Sequence, residues 1–418
     1  MNQTKTAFQQ LQSPRIWTVL LLGFSSGLPA VLTGSTLSAW FTESGISLMA
    51  IGALTLVGQP YVYKFLWAPF MDRFIPPFLG RRRGWMLIWQ LCLIATIAIM
   101  ALLTPQKHAG LMGMIALLIA FCSASQDTAI NAYQTDVLQQ EERGIGSALM
   151  ANGWRIGTIV SGAFALIMAQ RLGWHMTYLI MAACMLVGLI TTLLCPATPN
   201  EKHVQPVSLK DAVIDPFKEF FSRHGARFAI ILLAIIVFYK LGDAFALSLN
   251  TTFLLRGMHF SLTDVGVANK MVGLAASIAG GLIGGLIMLR ISLLRALVVF
   301  GILQAVSNLG YMWLALAGHN YSIFYGAVAV EFFTSGLGTT AFLAFIMSLC
   351  HPKFTATQFA LLTAVSAVGR VYIGPAAAET VLHIGWAGFF FASFWVGLIG
   401  LGLIWFIQSR VKPLPSGR

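Results

Sequence analysis

Residues 110–136 are GLMGMIALLIAFCSASQDTAINAYQTD. The segment begins as an apolar run and continues, without a break, into Ser, Gln, Asp, Asn and Tyr. A helix crosses a bilayer with about 20 predominantly apolar residues, and a carboxylate near its middle is costly and usually functional. The segment therefore predicts a membrane-spanning helix in which Asp127 has a functional role.

The rest of the chain repeats this pattern. Of 418 residues, 57% are hydrophobic and 10% are charged, whereas a soluble domain carries about 25% charged residues. A β-barrel would show short alternating segments instead of long apolar runs. The composition therefore predicts an all-α polytopic membrane protein.

About twelve apolar segments are separated by charged or Pro/Gly breaks. The predicted spans are 15–42, 48–71, 84–103, 108–137, 143–170, 174–195, 226–256, 262–290, 293–317, 321–350, 354–383 and 385–410. Residues 196–225 form the longest polar stretch, and 208–222 have the spacing of an amphipathic helix on the membrane surface. We predict a six-helix bundle at 1–195, a cytoplasmic linker at 196–225, a second six-helix bundle at 226–410 and a cytoplasmic tail at 411–418.

The two halves carry matching motifs. The stretch ISLMAIG at 46–52 matches FSLTDVG at 260–266, and each places Ser where a helix N-cap is expected. Arg155 and Arg370 are separated by a similar interval of 215 residues. Internal repeats with a substrate site between them are typical of transporters.

Basic residues set the expected orientation. The outer loops hold only Lys107, Arg171 and Arg256, while the inner segments hold clusters such as residues 81–83. Both termini are therefore expected in the cytoplasm. The same rule explains the net charge of +12 as membrane topology, and we expect no nucleic-acid partner.

Charged residues inside spans are functional candidates by default. They are Lys64, Asp127, Arg155, Lys240, Asp243, Lys270, Glu331 and Arg370. Ion pairs that lock the bundle are one explanation. A surplus of cations facing a cavity is the other, and it favours an anionic substrate. The carboxylates Asp127, Asp243 and Glu331 are proton-binding candidates, and the sequence does not choose among them.

Helical spacing groups these residues with polar neighbours. Ser123, Asp127, Asn131 and Gln134 share one face of the fourth span, and Lys240 and Asp243 share a face of the seventh. Polar stripes on apolar helices need water or a polar partner, so stripes in both halves predict a shared aqueous cavity. The residues expected to line it are Gln59, Tyr63, Lys64, Ser123, Gln126, Asn131, Gln134, Arg155, Lys240, Asn250, Asn269, Lys270, Ser366 and Arg370.

Other motifs have structural explanations. Asp72, Arg73 and the arginines at 81–83 are predicted to pair with Asp136, Glu141, Glu142 or Arg143 across a cytoplasmic gate. For the arginines at 81–83, membrane topology with binding of lipid headgroups is an equally good explanation. Gly153 and Gly157, and the small-residue stripe Gly273, Ser277, Gly281 and Gly285, predict close helix packing.

Several function classes are disfavoured. The chain has no Walker-type phosphate loop and no C-x-x-C pair, and its histidines fall in loops or near span ends. An ATP-driven pump, a metal site and a membrane metalloenzyme are thus not expected, nor is any cofactor. Mixed charges in two fused halves fit alternating access better than a channel, and we expect a monomer in the lipid bilayer.

Two fused six-helix halves and the D-R…G-R-R-R loop after the second span resemble the major facilitator superfamily. Longer blocks resemble the AmpG family of anhydromuropeptide permeases within it. They are LVGQPYVYKFLWAPFMDRFIPPFLGRRRGW (56–85), AFCSASQD (120–127), TDVLQQEERG (135–144), YKLGDAFALSL (239–249), TTFLLRG (251–257) and TQFALLTAVSAVGRVYIGP (357–375).

The resemblance implies a bacterial inner-membrane permease. Its substrates would be N-acetylglucosaminyl-1,6-anhydro-N-acetylmuramyl peptides, imported from periplasm to cytoplasm with the proton gradient as energy source. Peptidoglycan recycling and β-lactamase induction would follow. A permease of the same fold for another anionic solute, such as a siderophore or acetyl-coenzyme A, is the alternative.

The chain departs from the family pattern S-x-S-Q-D-x-x-x-D at its last position, where Asn131 stands. Asp127 is then the only mid-span carboxylate on the fourth span. We expect Asp127→Asn to abolish gradient-driven uptake and to leave the protein folded, because the stripe would need this charge for coupling rather than for packing.

Overall fold

A computed structural model describes residues 13–139, 142–197, 214–351 and 355–410. Within these ranges the chain is helical, with short connections and no strand, which confirms the predicted all-α fold. The chain divides into two compact units: Met1–Ile46 with Val57–Leu209, and Ser47–Leu56 with Lys210–Arg418. The predicted division at 195, 225 and 410 stays a prediction, and the predicted tail lies outside the described residues.

The helices of the first unit are α1 Pro14–Glu43, α3 Gln59–Tyr63, α4 Ala68–Arg73, α5 Gly80–Ala101, α6 Pro105–Val137, α7 Arg143–Ile159, α8 Ala165–Leu172 and α9 Trp174–Leu194. Those of the second unit are α2 Leu48–Ala53, α10 Asp215–His224, α11 Ala226–Gly257, α12 Leu262–Val267, α13 Gly273–Met288, α14 Leu293–Ala317, α15 Tyr321–Leu349, α16 Thr355–Tyr372 and α17 Gly374–Arg410.

Eight helical stretches in the described residues are long and apolar enough to cross a membrane. The second, fifth and eighth predicted spans are helical but interrupted. In the second span, α3 begins at Gln59 and Pro60, where a proline is tolerated because the first helical N–H groups have no partner within the helix. The eleventh and twelfth spans are formed by α16 and α17, which are separated at residue 373, and Gly385, with a φ of 69°, interrupts α17. The predicted number of twelve membrane crossings stays a prediction.

Both predicted serine caps are confirmed. The Ser47 hydroxyl accepts a hydrogen bond from the Ala50 amide at 3.3 Å and begins α2. Ser261 begins α12 with a capping box, in which its hydroxyl accepts from the Asp264 amide at 3.1 Å and its own amide donates to the Asp264 carboxylate at 3.1 Å. Each cap satisfies N–H groups that a helix start would otherwise leave without a partner.

Glycines bring α1 and α7 into backbone contact in the first unit. A Cβ at Gly153 would lie 2.0 Å from the Leu20 carbonyl oxygen, and one at Gly157 would lie 2.3 Å from that of Phe24. No larger residue fits at these distances. The predicted packing role of this G-x-x-x-G pair is confirmed.

The small-residue stripe of the second unit packs in part. A Cβ at Gly273 would touch the Phe332 ring at 3.0 Å, and the Ser277 carbonyl oxygen would lie 2.3 Å from a Cβ at Gly336. The Gly281 amide nitrogen would lie 2.9 Å from the same Cβ at Gly336. A Cβ added at Gly285 would have no neighbouring atom within 4 Å. The packing prediction therefore holds for Gly273, Ser277 and Gly281 and is wrong for Gly285.

The segment predicted as an amphipathic helix is described from residue 214 onward, and residues 208–213 lie outside the described part. Phe220 of α10 is 2% exposed and belongs to the core of the second unit. The Gln358 amide donates to the Glu219 carboxylate at 2.6 Å, and the Arg223 guanidinium donates to the Leu349 carbonyl at 2.6 Å. Helix α10 is therefore fixed to this unit by a buried ring and by polar contacts.

Candidate functional site

Asp127 lies on α6 in the first unit and is held from α1. The Ser26 hydroxyl donates to its Oδ1 at 2.6 Å. Lys64 is the cation whose charge acts on this carboxylate, although no ion pair joins the two among the described residues. Tyr61 also lies within electrostatic range of Asp127 and beside Ser123. Sequence spacing identified Lys64 and Ser123 and missed both Ser26 and Tyr61.

The remaining polar residues of the first unit differ in exposure. Asn131 and Arg155 are exposed, and Gln59, Tyr63 and Gln134 are half-buried. Gln126 is fully buried, and its Nε2 donates to the Ser25 carbonyl at 3.1 Å. Gln126 therefore joins α6 to α1, and its predicted cavity role is replaced by this contact between helices.

The second unit contains a cavity of about 570 Å³. It is lined by Thr55, Val237, Lys240, Asp243, Ala244, Leu247, Ser248, Ser335, Thr339, Phe342, Leu343, Thr363, Ser366, Ala367 and Arg370. The lining comes mainly from α11, α15 and α16. It brings together four residues predicted from the sequence: Lys240, Asp243, Ser366 and Arg370.

Lys240 is held by three neighbours. Its Nζ lies 3.7 Å from Asp243 Oδ2, 3.2 Å from Gln304 Oε1 and 3.5 Å from the Ser335 carbonyl oxygen. A partly buried ammonium that is paired and hydrogen-bonded in this way is stable at its position. Lys240 therefore neutralises its surroundings and is not free to bind an anion alone.

Glu331 lies behind Asp243, away from solvent. It is 0% exposed, and its Oε2 accepts a hydrogen bond from the Ser307 hydroxyl at 2.5 Å. On the cavity side, the Ser335 hydroxyl donates to Asp243 Oδ2 at 3.3 Å. Asp243 and Glu331 lie within electrostatic range of each other, so with Lys240 they form one cluster of ionisable groups on α11 and α15.

Arg370 is the other cation of the cavity. It is exposed, and no hydrogen bond or ion pair within the described residues involves its guanidinium. An unpaired guanidinium can bind a carboxylate or phosphate through two parallel hydrogen bonds. Hydroxyl groups of Ser335, Thr363 and Ser366 lie on the same wall and can bind the polar groups of a ligand.

Other predicted residues of the second unit lie apart from this cavity. Asn250 is buried, and its Nδ2 donates to the Tyr311 hydroxyl at 3.3 Å. Asn269 is half-buried and is not among the lining residues. The side chain of Lys270 lies outside what the structure describes.

Arg82 and Asp136, two residues of the predicted gate, form an ion pair. Arg82 Nε lies 2.9 Å from Asp136 Oδ2, which joins α5 to α6 within the first unit. Arg83 donates to the Leu193 carbonyl at 2.9 Å, at the C-terminal end of α9, where a cation is favoured by the helix dipole. Arg73 is exposed, and the side chains of Asp72 and Arg143 lie outside what the structure describes. The gate stays a prediction.

Comparison with known proteins agrees with this architecture. The model of the Major Facilitator Superfamily matches residues 16–373. The anhydromuropeptide permease of Escherichia coli K12 is 50% identical over 394 residues, which cover 94% of this chain and 79% of that protein. An uncharacterised protein of Haemophilus influenzae is 38% identical, with 92% of each chain covered.

Solved structures of low sequence similarity share the fold. A POT-family peptide transporter superposes with a TM-score of 0.74 at 12% identity, over 94% of each chain. The nucleoside transporter NupG superposes with a TM-score of 0.71 at 14% identity, over 95% of this chain and 100% of that one.

The fold, the apolar helices and the relatives define a multi-pass membrane transporter rather than an enzyme. Within that class, the chain belongs to the AmpG anhydromuropeptide permease family of the Major Facilitator Superfamily.

Proposed function

We propose that this protein imports anhydromuropeptides from the periplasm to the cytoplasm across the bacterial inner membrane. The observation that carries the proposal is the 50% identity, over 94% of the chain, to the E. coli anhydromuropeptide permease. The imported N-acetylglucosaminyl-1,6-anhydro-N-acetylmuramyl peptides would enter peptidoglycan recycling and induce β-lactamase.

The cavity of the second unit supports this substrate class. Its volume of about 570 Å³ lies within the range of about 300–1,000 Å³ that is usual for small-molecule sites. Muropeptides carry several carboxylates and many hydroxyls. Arg370 offers a cation without a hydrogen-bond or ion-pair partner in the described part of the chain, and Ser335, Thr363 and Ser366 offer hydroxyls. Charge and polarity thus match a sugar-peptide acid.

Proton symport by a monomer is the proposed mode of transport, with alternating access and both termini in the cytoplasm. Asp127, Asp243 and Glu331 are the carboxyl groups in apolar helices that can exchange a proton. Each is hydrogen-bonded by a serine from a neighbouring helix, namely Ser26, Ser335 or Ser307. A bound proton would remove a buried charge and so lower the cost of changing conformation.

A permease for another anionic solute is the second candidate. A guanidinium binds phosphate or hydroxamate-type oxygen acids as readily as it binds carboxylate, so Arg370 alone does not distinguish an anhydromuropeptide from acetyl-coenzyme A or a siderophore.

The test is uptake of radiolabelled anhydromuropeptide by proteoliposomes with an imposed inward proton gradient. We expect accumulation that unlabelled anhydromuropeptide inhibits and that an equal excess of acetyl-coenzyme A or ferric siderophore leaves unchanged. Empty liposomes are the control. Wild-type protein that accumulates one of the competitors and ignores the muropeptide would establish the second candidate.

A further inference from the structure

We propose that Asp243 and Glu331 bind one proton between them, and that a substrate anion at Arg370 favours this proton. The inference rests on the proposed function only for the identity of the anion. It selects one proton site among the three carboxylates that the sequence leaves open, and it links that site to the substrate cavity.

The geometry of the pair carries the first part. Asp243 Oδ2 and Glu331 Oε2 each accept a hydrogen bond, from Ser335 at 3.3 Å and from Ser307 at 2.5 Å. The other two oxygens, Asp243 Oδ1 and Glu331 Oε1, are buried and have no hydrogen-bond partner among the described residues. The two carboxyl groups interact with each other, and the Gln304 amide interacts with Asp243 as well.

Two ionised carboxylates cannot bond to each other, because both are acceptors. One proton shared by the two carboxyl groups would give Glu331 a second hydrogen bond and would remove the repulsion of two buried like charges. This is the arrangement of paired carboxyl groups that titrate as a unit.

The charges around the pair agree with one bound proton. Lys240 is the only cation in contact with the cluster among the described residues, at 3.7 Å from Asp243. One ammonium and two carboxyl groups are neutral together when one proton is present. The charge of Arg370 also acts on Asp243, but this exposed guanidinium lines the open cavity, where solvent screens it more than it screens the buried groups. The phenols of Tyr239 and Tyr311 lie within electrostatic range of the pair. The Tyr239 hydroxyl donates to the Leu297 carbonyl at 3.0 Å, and neither phenol adds a charge to this count.

Asp127 differs from the pair because the other two candidate carboxyl groups belong to the second unit. Lys64 is a cation whose charge acts on Asp127 without an ion pair among the described residues, and Ser26 donates to it at 2.6 Å, as Ser307 does to Glu331. Among the described residues, only the second unit places two of the three candidate carboxyl groups within reach of each other. On that ground the proton is assigned to the second unit.

Arg370 couples the pair to the substrate. It lies on the cavity wall that Asp243 also lines, and its charge acts on Asp243. In the empty cavity, this positive charge opposes binding of a proton nearby. An anion paired with Arg370 cancels that effect, so anion and proton favour each other's binding, as linkage requires. Cooperative binding of this kind would make the substrate anion and the proton cross the membrane together.

Infrared spectroscopy of the substrate-free protein tests the proton site without any transport. Wild type is expected to show the C=O band of a protonated carboxylic acid at neutral pH. Glu331→Gln and Asp243→Asn should each remove it. Asp127→Asn should leave it, and so should the matched control Glu379→Gln, which alters an exposed carboxylate on α17. Thermal unfolding identifies any variant that fails to fold.

Absence of the band in wild type would overturn the inference even if no variant folded. Loss of the band in Asp127→Asn, with retention in Glu331→Gln, would transfer the proton to the first unit. Failure of wild type to take up anhydromuropeptide, with the band behaving as expected, would instead count against the proposed function alone.

Binding of anhydromuropeptide tests the coupling. The apparent Kd of wild type should rise by up to about tenfold per pH unit once the pair loses its proton, which is the slope for one linked proton. Glu331→Gln should bind with little dependence on pH, and Arg370→Gln should weaken binding and flatten the slope. An unchanged slope in Glu331→Gln would refute the coupling.

Discussion

Arg370 provides the most direct test of the cavity, because its removal should affect binding and spare the fold. Within the described residues its guanidinium has no hydrogen-bond or ion-pair partner, so Arg370→Gln leaves no protein group without one. A substitution of this kind usually changes the free energy of unfolding by no more than about 0.5 kcal/mol.

The expected loss of affinity follows from the contact that disappears. A hydrogen bond to a charged group contributes about 1.5–3 kcal/mol, and each 1.4 kcal/mol corresponds to about a tenfold change in Kd. Arg370→Gln should therefore weaken anhydromuropeptide binding by roughly 10- to 100-fold. Arg370→Lys keeps the charge without the planar guanidinium, so its loss should be smaller.

Lys240→Met is the contrasting variant. Lys240 is paired with Asp243 at 3.7 Å and hydrogen-bonded to Gln304 at 3.2 Å. Removing one partner of a buried ion pair costs about 3–5 kcal/mol, and we expect this variant to unfold at a lower temperature.

The assay is equilibrium binding of labelled anhydromuropeptide to purified protein in nanodiscs, with thermal unfolding measured on the same samples. Arg370→Gln with wild-type affinity would remove this residue from the binding site. Arg370→Gln that unfolds as readily as Lys240→Met would refute the view that Arg370 is unpaired.

Three further predictions concern the fold and are measured by thermal unfolding in detergent. Gly153→Ala should destabilise the protein by about 1–3 kcal/mol, because its Cβ would lie 2.0 Å from the Leu20 carbonyl oxygen; Gly285→Ala, with open space, is the control and should be neutral or stabilising. Phe220→Ala should lower the free energy of unfolding by about 3–5 kcal/mol, because the Phe220 ring is 2% exposed. A Phe220→Ala variant as stable as wild type would show that this ring does not anchor α10. Ser261→Ala should lower the free energy of unfolding by about 1 kcal/mol, because α12 loses its N-cap. An unchanged free energy of unfolding would mean that the capping box does not stabilise the protein.

The sequence predicted the features that depend on local pattern. Apolar run lengths predicted the all-α membrane fold, and a serine before each repeated motif predicted the caps at Ser47 and Ser261. Lys240 and Asp243 were predicted on one face because their spacing of three residues is fixed by the helix itself.

Tertiary packing determined the rest. Helical spacing gives the face on which a residue lies and not the helix that this face meets. Gln126 and Asn250 were assigned to the cavity for their polarity, and the structure instead places them against Ser25 and Tyr311. Tyr61 was missed because a tyrosine between apolar residues carries no pattern that distinguishes a site from packing.

The partners of the carboxyl groups were missed for a related reason. Ser26 and Ser307 are ordinary helix residues in the sequence, and each reaches its carboxylate from another helix, across 101 residues for Ser26 and 24 for Ser307. The carboxyl pair of Asp243 and Glu331 joins α11 to α15, and no local spacing contains that contact.

The most direct measurement of the central claim is the pH inside proteoliposomes that carry a trapped pH indicator. Adding anhydromuropeptide outside wild-type vesicles, without an imposed gradient, should acidify the lumen as proton and substrate enter together. Vesicles with Glu331→Gln should show no acidification. Uptake of the muropeptide by wild type without any change in internal pH, undiminished when the proton gradient is collapsed, would contradict the account.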